Sequence, residues 1–160
     1  MLQGLDKQAT VEKYGQKQVQ IWRRSYEIRP PAMNKTDKRN PTLGPSYANL
    51  KNKESPATES LKDTLDRVLP YWYETIQPAL KAGKQVLVAA HGNSLRAIVK
   101  YLDNMSSSEI MGVDIPTGFP LVYELDEDLN AIRHYYLGDR EKIRKAREVV
   151  ARQISVKEKQ

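Results

Sequence analysis

The sequence predicts an α/β domain in which a mostly parallel sheet lies between two layers of helices. Residues 86–90, Val-Leu-Val-Ala-Ala, form an apolar run without alternation, which is typical of a strand covered by helices on both faces. Apolar residues recur at helical spacing before this run, over residues 61–80, and after it, over residues 95–102. The chain of 160 residues is long enough for one domain that buries roughly 70% of its unfolded surface, and too short for a second full domain.

Two short helices and a long irregular segment are predicted at the start of the chain. Residues 10–26 carry loosely spaced apolar positions, and Gly15 interrupts them, which favours two helices over one. Residues 30–56 are rich in Pro, Asn, Ser and Lys, and the five prolines of this stretch break regular structure. A loop of this length in a compact domain is usually an active-site cover or a disordered insert, and Tyr47 and Leu50 could dock it.

The helix over residues 61–80 has recognisable start and stop signals. The Ser60 hydroxyl can cap the helix while Asp63 reaches back, as in a capping box. Pro70 removes one backbone donor and should kink the helix or divide it into two. Gly83 supplies a left-handed stop before the apolar strand.

The last part of the chain predicts a hairpin and a terminal helix. Residues 121–125 and 132–137 have the composition of two strands joined by a polar turn, and they predict a β-hairpin at the sheet edge. Ser106 and Glu109 suggest a short capped turn before it. Residues 140–160 predict a C-terminal helix that ends in a charged tail.

Composition limits the classes of partner and cofactor. The chain has 26 Lys and Arg against 20 Asp and Glu, a net charge of +6, which suits phosphates, nucleic acids or acidic lipids as partners. It has no cysteine, which excludes disulfides and cysteine-ligated zinc. No metal-ligand spacing, glycine-rich nucleotide loop or membrane-length apolar run is present, so we expect no metal, no nucleotide cofactor and a cytoplasmic protein.

His91 lies where the apolar run turns into a helix, and this junction is a natural anion site. In open α/β sheets ligands bind beyond the carboxyl ends of strands, where the next helix offers free N–H groups and the positive end of its dipole. Gly92 allows a close approach to the backbone, and Asn93 and Ser94 can donate hydrogen bonds. His91 could be a general acid, a phosphate ligand or an ordinary turn residue, and its position alone leaves these roles open.

Other polar residues are ambiguous by themselves. Arg23 and Arg24 could each bind a phosphate or carboxylate in a bidentate manner, but arginines at a helix C-terminus also stabilise the helix dipole without any ligand. Arg96 could approach a bound anion or pair on the surface, and Lys7 has nothing near it to distinguish it. His134 falls in an edge strand, where we expect a structural role. The basic tail could attract a polyanion, although no recognised nucleic-acid motif accompanies it.

Several segments in consistent order resemble the cofactor-dependent phosphoglycerate mutases of the histidine phosphatase superfamily. The long Pro-rich insert and the Trp-Arg-Arg segment favour the mutases over their phosphatase relatives. The matching segments are Leu-Gln-Gly-Leu at 2–5, Ile-Trp-Arg-Arg-Ser-Tyr at 21–26, Thr-Glu-Ser-Leu at 58–61, Ala-His-Gly-Asn-Ser-Leu-Arg-Ala at 90–97, Ile-Pro-Thr-Gly at 115–118 and His-Tyr-Tyr-Leu-Gly-Asp at 134–139.

The resemblance implies a substrate and a role for each matching residue. Enzymes of this family interconvert 3-phosphoglycerate and 2-phosphoglycerate in glycolysis and gluconeogenesis, through a phosphohistidine primed by 2,3-bisphosphoglycerate. His91 matches the second of the two histidines that flank the transferred phosphoryl group, not the nucleophile. Asn93 matches a phosphate-binding residue, Arg23 and Arg24 match residues that hold the anionic groups of the substrate, and Lys7 matches a substrate contact.

The resemblance also implies segments that these residues do not contain. The family has an N-terminal strand that ends in Arg-His-Gly, a further phosphate-binding arginine and a catalytic glutamate, and none of them has a match here. We therefore expect residues 1–160 to form one incomplete domain of the three-layer mutase-like fold, lacking its N-terminal strands and inactive by itself. An N-terminal mutase segment or a second copy could be its partner. The alternatives are a non-catalytic protein that binds a phosphate ligand and a polyanion binder that uses the basic tail.

Overall fold

Helices make up most of the regular structure in the computed structural model, which describes residues 2, 4–40, 43–47 and 56–151. The mixture of helices and strands that the sequence predicts is confirmed, with helix as the larger part. The helices are α1 (Lys7–Tyr14), α2 (Gln16–Arg24), α3 (Leu61–Tyr71), α4 (Gln77–Lys81), α5 (Gly92–Leu102) and α6 (Arg140–Ala151), the strands are β1 (Leu121–Leu125) and β2 (Ala131–Tyr136), and short 3₁₀ turns cover Pro45–Tyr47 and Glu109–Gly112.

Helices α1 and α2 form a small helical hairpin, as predicted from Gly15. The φ angle of Gly15 is 81°, a left-handed value that glycine adopts without strain, and its N–H closes α1 by donating to the Val11 carbonyl at 2.8 Å. Val11 and Val19 are buried between the two helices, and Tyr14 and Trp22 pack against them. This packing places the end of α2, and the two arginines there, at a fixed position.

The helical stretch that the sequence predicts over residues 61–80 begins at Leu61 and ends at Lys81, and its interior is interrupted. The Asp63 N–H donates to Ser60 Oγ at 3.2 Å, and the Ser60 N–H donates to Asp63 Oδ2 at 2.8 Å, which completes the predicted capping box. Pro70 lies in the last turn of α3, and one π-helical turn, Trp72–Ile76, separates α3 from α4. Gly83, with a φ of 74°, follows α4. The predicted division of this helix after Pro70 is therefore confirmed.

A hydrophobic cluster joins α3, α5 and the 3₁₀ turn Glu109–Gly112. Its buried members are Leu61, Ala97 and Ile110, and Ala97 and Ile110 have no measurable exposure. Partly buried Tyr26, Leu65, Met105 and Val113 pack against them. This cluster fixes the position of α5 and of the turn that follows it.

Strands β1 and β2 form the predicted antiparallel hairpin. Leu121 pairs with Tyr136 at one end of the ladder, and the polar turn closes with the Asp126 N–H donating to the Asn130 carbonyl at 3.0 Å. The second strand begins and ends one residue earlier than the sequence predicts. This two-stranded sheet is the only sheet in the part of the chain that the structure describes.

The prediction of a mostly parallel sheet with residues 86–90 as its central strand is not met by the described residues. These five residues belong to no helix or strand, and Leu87 is 89% exposed. A strand needs hydrogen-bonded neighbours, and an apolar strand needs cover on both faces. The described residues supply neither, and the three-layer arrangement is likewise not formed by them.

The segment that the sequence assigns to an irregular loop, residues 30–56, is partly described. Met33 is buried, and its N–H donates to the Ala57 carbonyl at 3.0 Å, which ties the start of the segment to the approach to α3. Tyr47 is 46% exposed and does not dock the segment. Leu50 lies outside the described residues.

The C-terminal helix α6 contacts the rest of the chain through Ile143, which is buried. Residues 152–160, which contain the end of the predicted charged tail, lie outside the described part of the chain. Across the described ranges, every helix falls short of the length and apolar character needed to cross a bilayer.

Candidate functional site

His91 forms the N-terminal cap of α5. Its backbone is extended, with a ψ of 145°, and its Nδ1 accepts a hydrogen bond from the Asn93 N–H at 3.2 Å. The first N–H groups of a helix have no partner within the helix, so an acceptor at this position satisfies one of them. Because Nδ1 acts as an acceptor, the neutral imidazole carries its proton on Nε2. The exposed His91 ring can therefore donate Nε2–H to an anion.

The sequence position of Arg24 favours a solvated side chain at a helix end. In the structure this side chain is instead largely buried and paired. Its Nη2 lies 2.5 Å from Asp114 Oδ1, and both side chains are less than one-sixth exposed, at 14% and 13%. The contact is an ion pair that lacks hydrogen-bond alignment. Arg24 Nη1 also donates to the Val113 carbonyl at 3.3 Å. These contacts fix the guanidinium of Arg24 beside the turn that follows α5.

Arg96 is buried, which excludes the surface pairing that the sequence left open. Only 6% of the residue is exposed. Its Nη2 donates to the Ile110 carbonyl at 2.8 Å, and its Nη1 donates to Asn93 Oδ1 at 3.4 Å. Burial, together with the charges of Arg24 and Arg23 and against the opposing charge of Asp114, lowers the pKa of Arg96 to about 10.

Lys7 and Arg23 extend this group of cations. Arg23 and Lys7 are both exposed. Desolvation and the charge of Arg24 lower the pKa of Arg23. Desolvation and the charge of Arg23 lower the pKa of Lys7, against the opposing effect of Asp6. The charge of Arg23 therefore acts on Lys7, and the charges of Arg23 and Arg24 act on Arg96. We call these four residues the cation row.

Hydrogen bonds join His91 and Asn93 to Arg96, whereas the other three predicted site residues relate to this group only through the effects of their charges. Lys7, Arg23 and Arg24 belong to the cation row, and Arg96 links the row to Asn93, whose N–H binds His91. Sequence reasoning left Arg96 out of the site. The available signal was its spacing of three residues from Asn93, which places both side chains on one face of a helix.

His134 lies apart from this group and has the structural role that the sequence predicts. Its Nδ1 is 3.2 Å from Asp103 Oδ1, and the Tyr123 hydroxyl donates to Asp103 Oδ2 at 3.1 Å. Burial and the charge of Asp103 raise the pKa of Tyr123. These contacts attach the hairpin to the end of α5. Within the described ranges, no group of three or more His, Asp or Glu side chains could hold a metal ion.

Comparison with known families identifies the superfamily of this chain. The family model of the histidine phosphatase superfamily (branch 1) matches residues 1–137. The chain belongs to the histidine phosphatase superfamily. The matched range runs from before α1 to just after β2, so it contains the whole cation row, Asn93 and His91, while α6 lies beyond it. Membership also implies the superfamily fold, of which the described residues form the helical part and one antiparallel hairpin.

Within this superfamily member, the arrangement is suited to hold a polyanionic group. The amide of Asn93 and the N-terminus of α5 offer hydrogen-bond donors at the junction, and the charges of the cation row add positive potential to it. The cations lie near one another at a cost in repulsion, and a bound anion would relieve that repulsion. His91 can add one further donor through Nε2–H.

Proposed function

We propose that this chain binds phosphoglycerates and supplies the phosphate-holding part of a phosphoglycerate mutase site. The proposed reaction is the interconversion of 3-phosphoglycerate and 2-phosphoglycerate in glycolysis and gluconeogenesis, with the cytoplasm as its compartment. The observation that carries the proposal is the cation row, which is joined through Asn93 to the histidine cap of α5. A phosphoglycerate carries a phosphate at one end and a carboxylate at the other. Several cations in a row can bind both groups, whereas a single cation could bind only one.

Each residue has a role that follows from its chemistry. Phosphoryl transfer depends on positioning and on charge stabilisation around the equatorial oxygens more than on covalent chemistry by the protein. His91 donates Nε2–H to a phosphoryl oxygen, and Asn93 binds the same group. Arg23, Arg24 and Lys7 hold the remaining anionic groups of the substrate. The same cations suit 2,3-bisphosphoglycerate, which would prime the reaction as the family resemblance implies.

We infer that the histidine that carries the phosphoryl group is another residue. His91 accepts from the Asn93 N–H through Nδ1, so its neutral ring carries the proton on Nε2 and has no free lone pair there for attack, and His134 contacts Asp103 on the hairpin side, apart from the cation row. His91 is placed to polarise a phosphoryl group, not to become phosphorylated. We therefore propose that this chain alone shows no mutase turnover and that an N-terminal mutase segment or a second copy supplies the nucleophile.

The direct test is a calorimetric titration of the purified chain with 3-phosphoglycerate and with glycerate at constant ionic strength. We expect saturable binding of 3-phosphoglycerate and none of glycerate. Arg23→Gln should weaken binding by about tenfold, because one charge-assisted contact to an anion is lost. Arg133→Gln is the matched control, since this exposed arginine pairs with Glu124 on the hairpin. Equal binding of the two ligands, or equal effects of the two variants, contradicts the proposal.

Non-catalytic binding of a phosphate ligand is the second candidate function. It is favoured by the contacts of Arg24 and Arg96, which already fix both guanidinium groups without a further segment. Mutase turnover on addition of a separate N-terminal mutase segment separates the two candidates, because a pure binding protein would stay inactive. The polyanion alternative has less support, since Arg144 of α6 is paired with Glu141 and Glu148.

A further inference from the structure

Arg96 is an unusual residue to bury, since no carboxylate in the described part of the chain forms an ion pair with it. The nearest opposing charge, Asp114, pairs with Arg24. The Nε of Arg96 is also buried without a hydrogen-bond partner in the described residues. A buried cation without an ion-pair partner is costly, so its remaining contacts are informative.

Those contacts are two oxygen atoms on different segments. One is the Ile110 carbonyl in the turn after α5, at 2.8 Å, and the other is Asn93 Oδ1 in the first turn of α5, at 3.4 Å. The planar fork of a guanidinium can donate to both oxygens at once. A lysine ammonium on a flexible stem has no such fork. The geometry therefore fits the spread donors of a guanidinium better than the single nitrogen of an ammonium group.

We propose that Arg96 is a positioning residue that sets the orientation of the Asn93 amide for phosphate binding. The inference rests on the proposed phosphate-binding function. Arg96 holds the amide by its oxygen, which leaves the two N–H groups of Nδ2 for the anion. With the amide reversed, its carbonyl oxygen would face the phosphate and repel it. Arg96 thus acts through Asn93 and makes no contact with the ligand itself.

A double-mutant cycle on 3-phosphoglycerate affinity tests this coupling. Arg96→Lys and Asn93→Ala should each weaken binding by about tenfold, the effect of one hydrogen bond to a charged group. In the Asn93→Ala background, Arg96→Lys should cause no further loss. Arg133→Lys controls for the general effect of an arginine-to-lysine change. Additive losses in the double variant would overturn the proposal, because they would show that Arg96 acts by another route.

Asn93→Asp keeps the proposal testable even where Arg96→Lys does not fold. The carboxylate accepts from Arg96 more strongly than the amide but offers no N–H group. We expect a higher melting temperature than that of the unmodified chain, together with at least a tenfold loss of 3-phosphoglycerate affinity. A lower melting temperature or retained affinity would overturn the proposal.

A measurement without ligand separates this inference from the proposed function. In ¹⁵N–¹H spectra, the Nδ2 hydrogens of Asn93 should give a resonance pair that shifts in Arg96→Lys and does not shift in Arg133→Lys. Unchanged Asn93 resonances in Arg96→Lys would contradict the positioning role. If the unmodified chain binds no 3-phosphoglycerate, the proposed function fails, and the amide resonances still decide whether Arg96 orients Asn93.

Discussion

Residues 84–90 and residues 91–96 are adjacent in the chain, and the exposure of a key side chain in each is the opposite of what the composition predicts. The first stretch is mostly apolar, yet Leu87 is 89% exposed. The second contains histidine, asparagine and arginine, yet Arg96 is only 6% exposed. The end of the polar stretch is fixed because α3 packs against α5 and the turn Glu109–Gly112 accepts from Arg96. The described residues supply no hydrogen-bonded neighbour strand for the apolar stretch.

This difference shows that the two sides of the α5 junction depend on different partners. The side proposed to hold an anion is assembled by contacts on the helical side of the junction, through Ile110, Arg24 and Asp114. The apolar side needs a hydrogen-bonded neighbour and cover that other residues must supply. A second segment or a second copy, as proposed above, would meet this need without altering the cation row.

The largest expected effect comes from truncating Ile110, which supports the α5 side of the junction. Ile110→Ala should lower the free energy of unfolding by about 3 kcal/mol, because Ile110 is fully buried and a cavity would remain. Urea denaturation provides the measurement. Ile132→Ala is the matched control, since Ile132 is 65% exposed. Equal losses in the two variants would mean that the turn does not support the junction.

Asp114→Ala tests the charge that opposes Arg24. We expect a loss of about 2 kcal/mol in the free energy of unfolding, because two buried guanidinium groups would lose their nearest carboxylate. The exposed pair of Glu124 and Arg133 is the reference, and Glu124→Ala should cost less than about 1 kcal/mol. Urea denaturation of both variants gives the comparison. A smaller loss for Asp114→Ala than for Glu124→Ala would contradict the assigned burial of this pair.

The contacts tested by Ile110→Ala and Asp114→Ala are ones that the sequence alone does not predict. Gly15, the capping box at Ser60 and the polar turn of the hairpin act over a few residues, so their effects follow from local chemistry. The Arg24 contact with Asp114 joins residues ninety positions apart, and the burial of Arg96 depends on a turn fourteen residues later. Neither contact leaves a local pattern. The apolar composition of residues 86–90 predicts a strand. A strand also requires a hydrogen-bonded neighbouring strand, which local composition does not reveal.

Leu87→Lys tests the exposed side of the comparison. We expect the free energy of unfolding to change by less than about 0.5 kcal/mol, because the side chain is largely exposed. Self-association should decrease, since exposed apolar residues without cover favour contacts between copies. Sedimentation velocity over a range of concentrations measures this, with Val149→Lys as a control on α6, where Val149 is 64% exposed. A large loss of stability in Leu87→Lys would show that this segment is packed in solution.

The smallest expected effect concerns pH and the start of α3, which positions α5. The bidentate contact with Arg29 and the hydrogen bonds with Ser60 lower the pKa of Asp63 below its usual 3.8. The folded state therefore holds fewer protons on Asp63 than the unfolded state, so the stabilisation is complete above the usual pKa and is lost as the pH falls below it. Asp63→Asn should flatten the decline of the melting temperature below pH 4. An unchanged decline would contradict the assigned cause.

The most direct test of the central claim is a 3-phosphoglycerate titration of the ¹⁵N-labelled chain, followed by ¹⁵N–¹H spectra at constant pH and salt. The account predicts saturable shifts in the backbone amides of Gly92 and Asn93 and in the guanidinium groups of Arg23 and Arg24. The exposed side of the junction, residues 84–88, should change little. Shifts that avoid the start of α5, or no shifts at concentrations that saturate the calorimetric signal, would contradict the claim that this junction holds the phosphate.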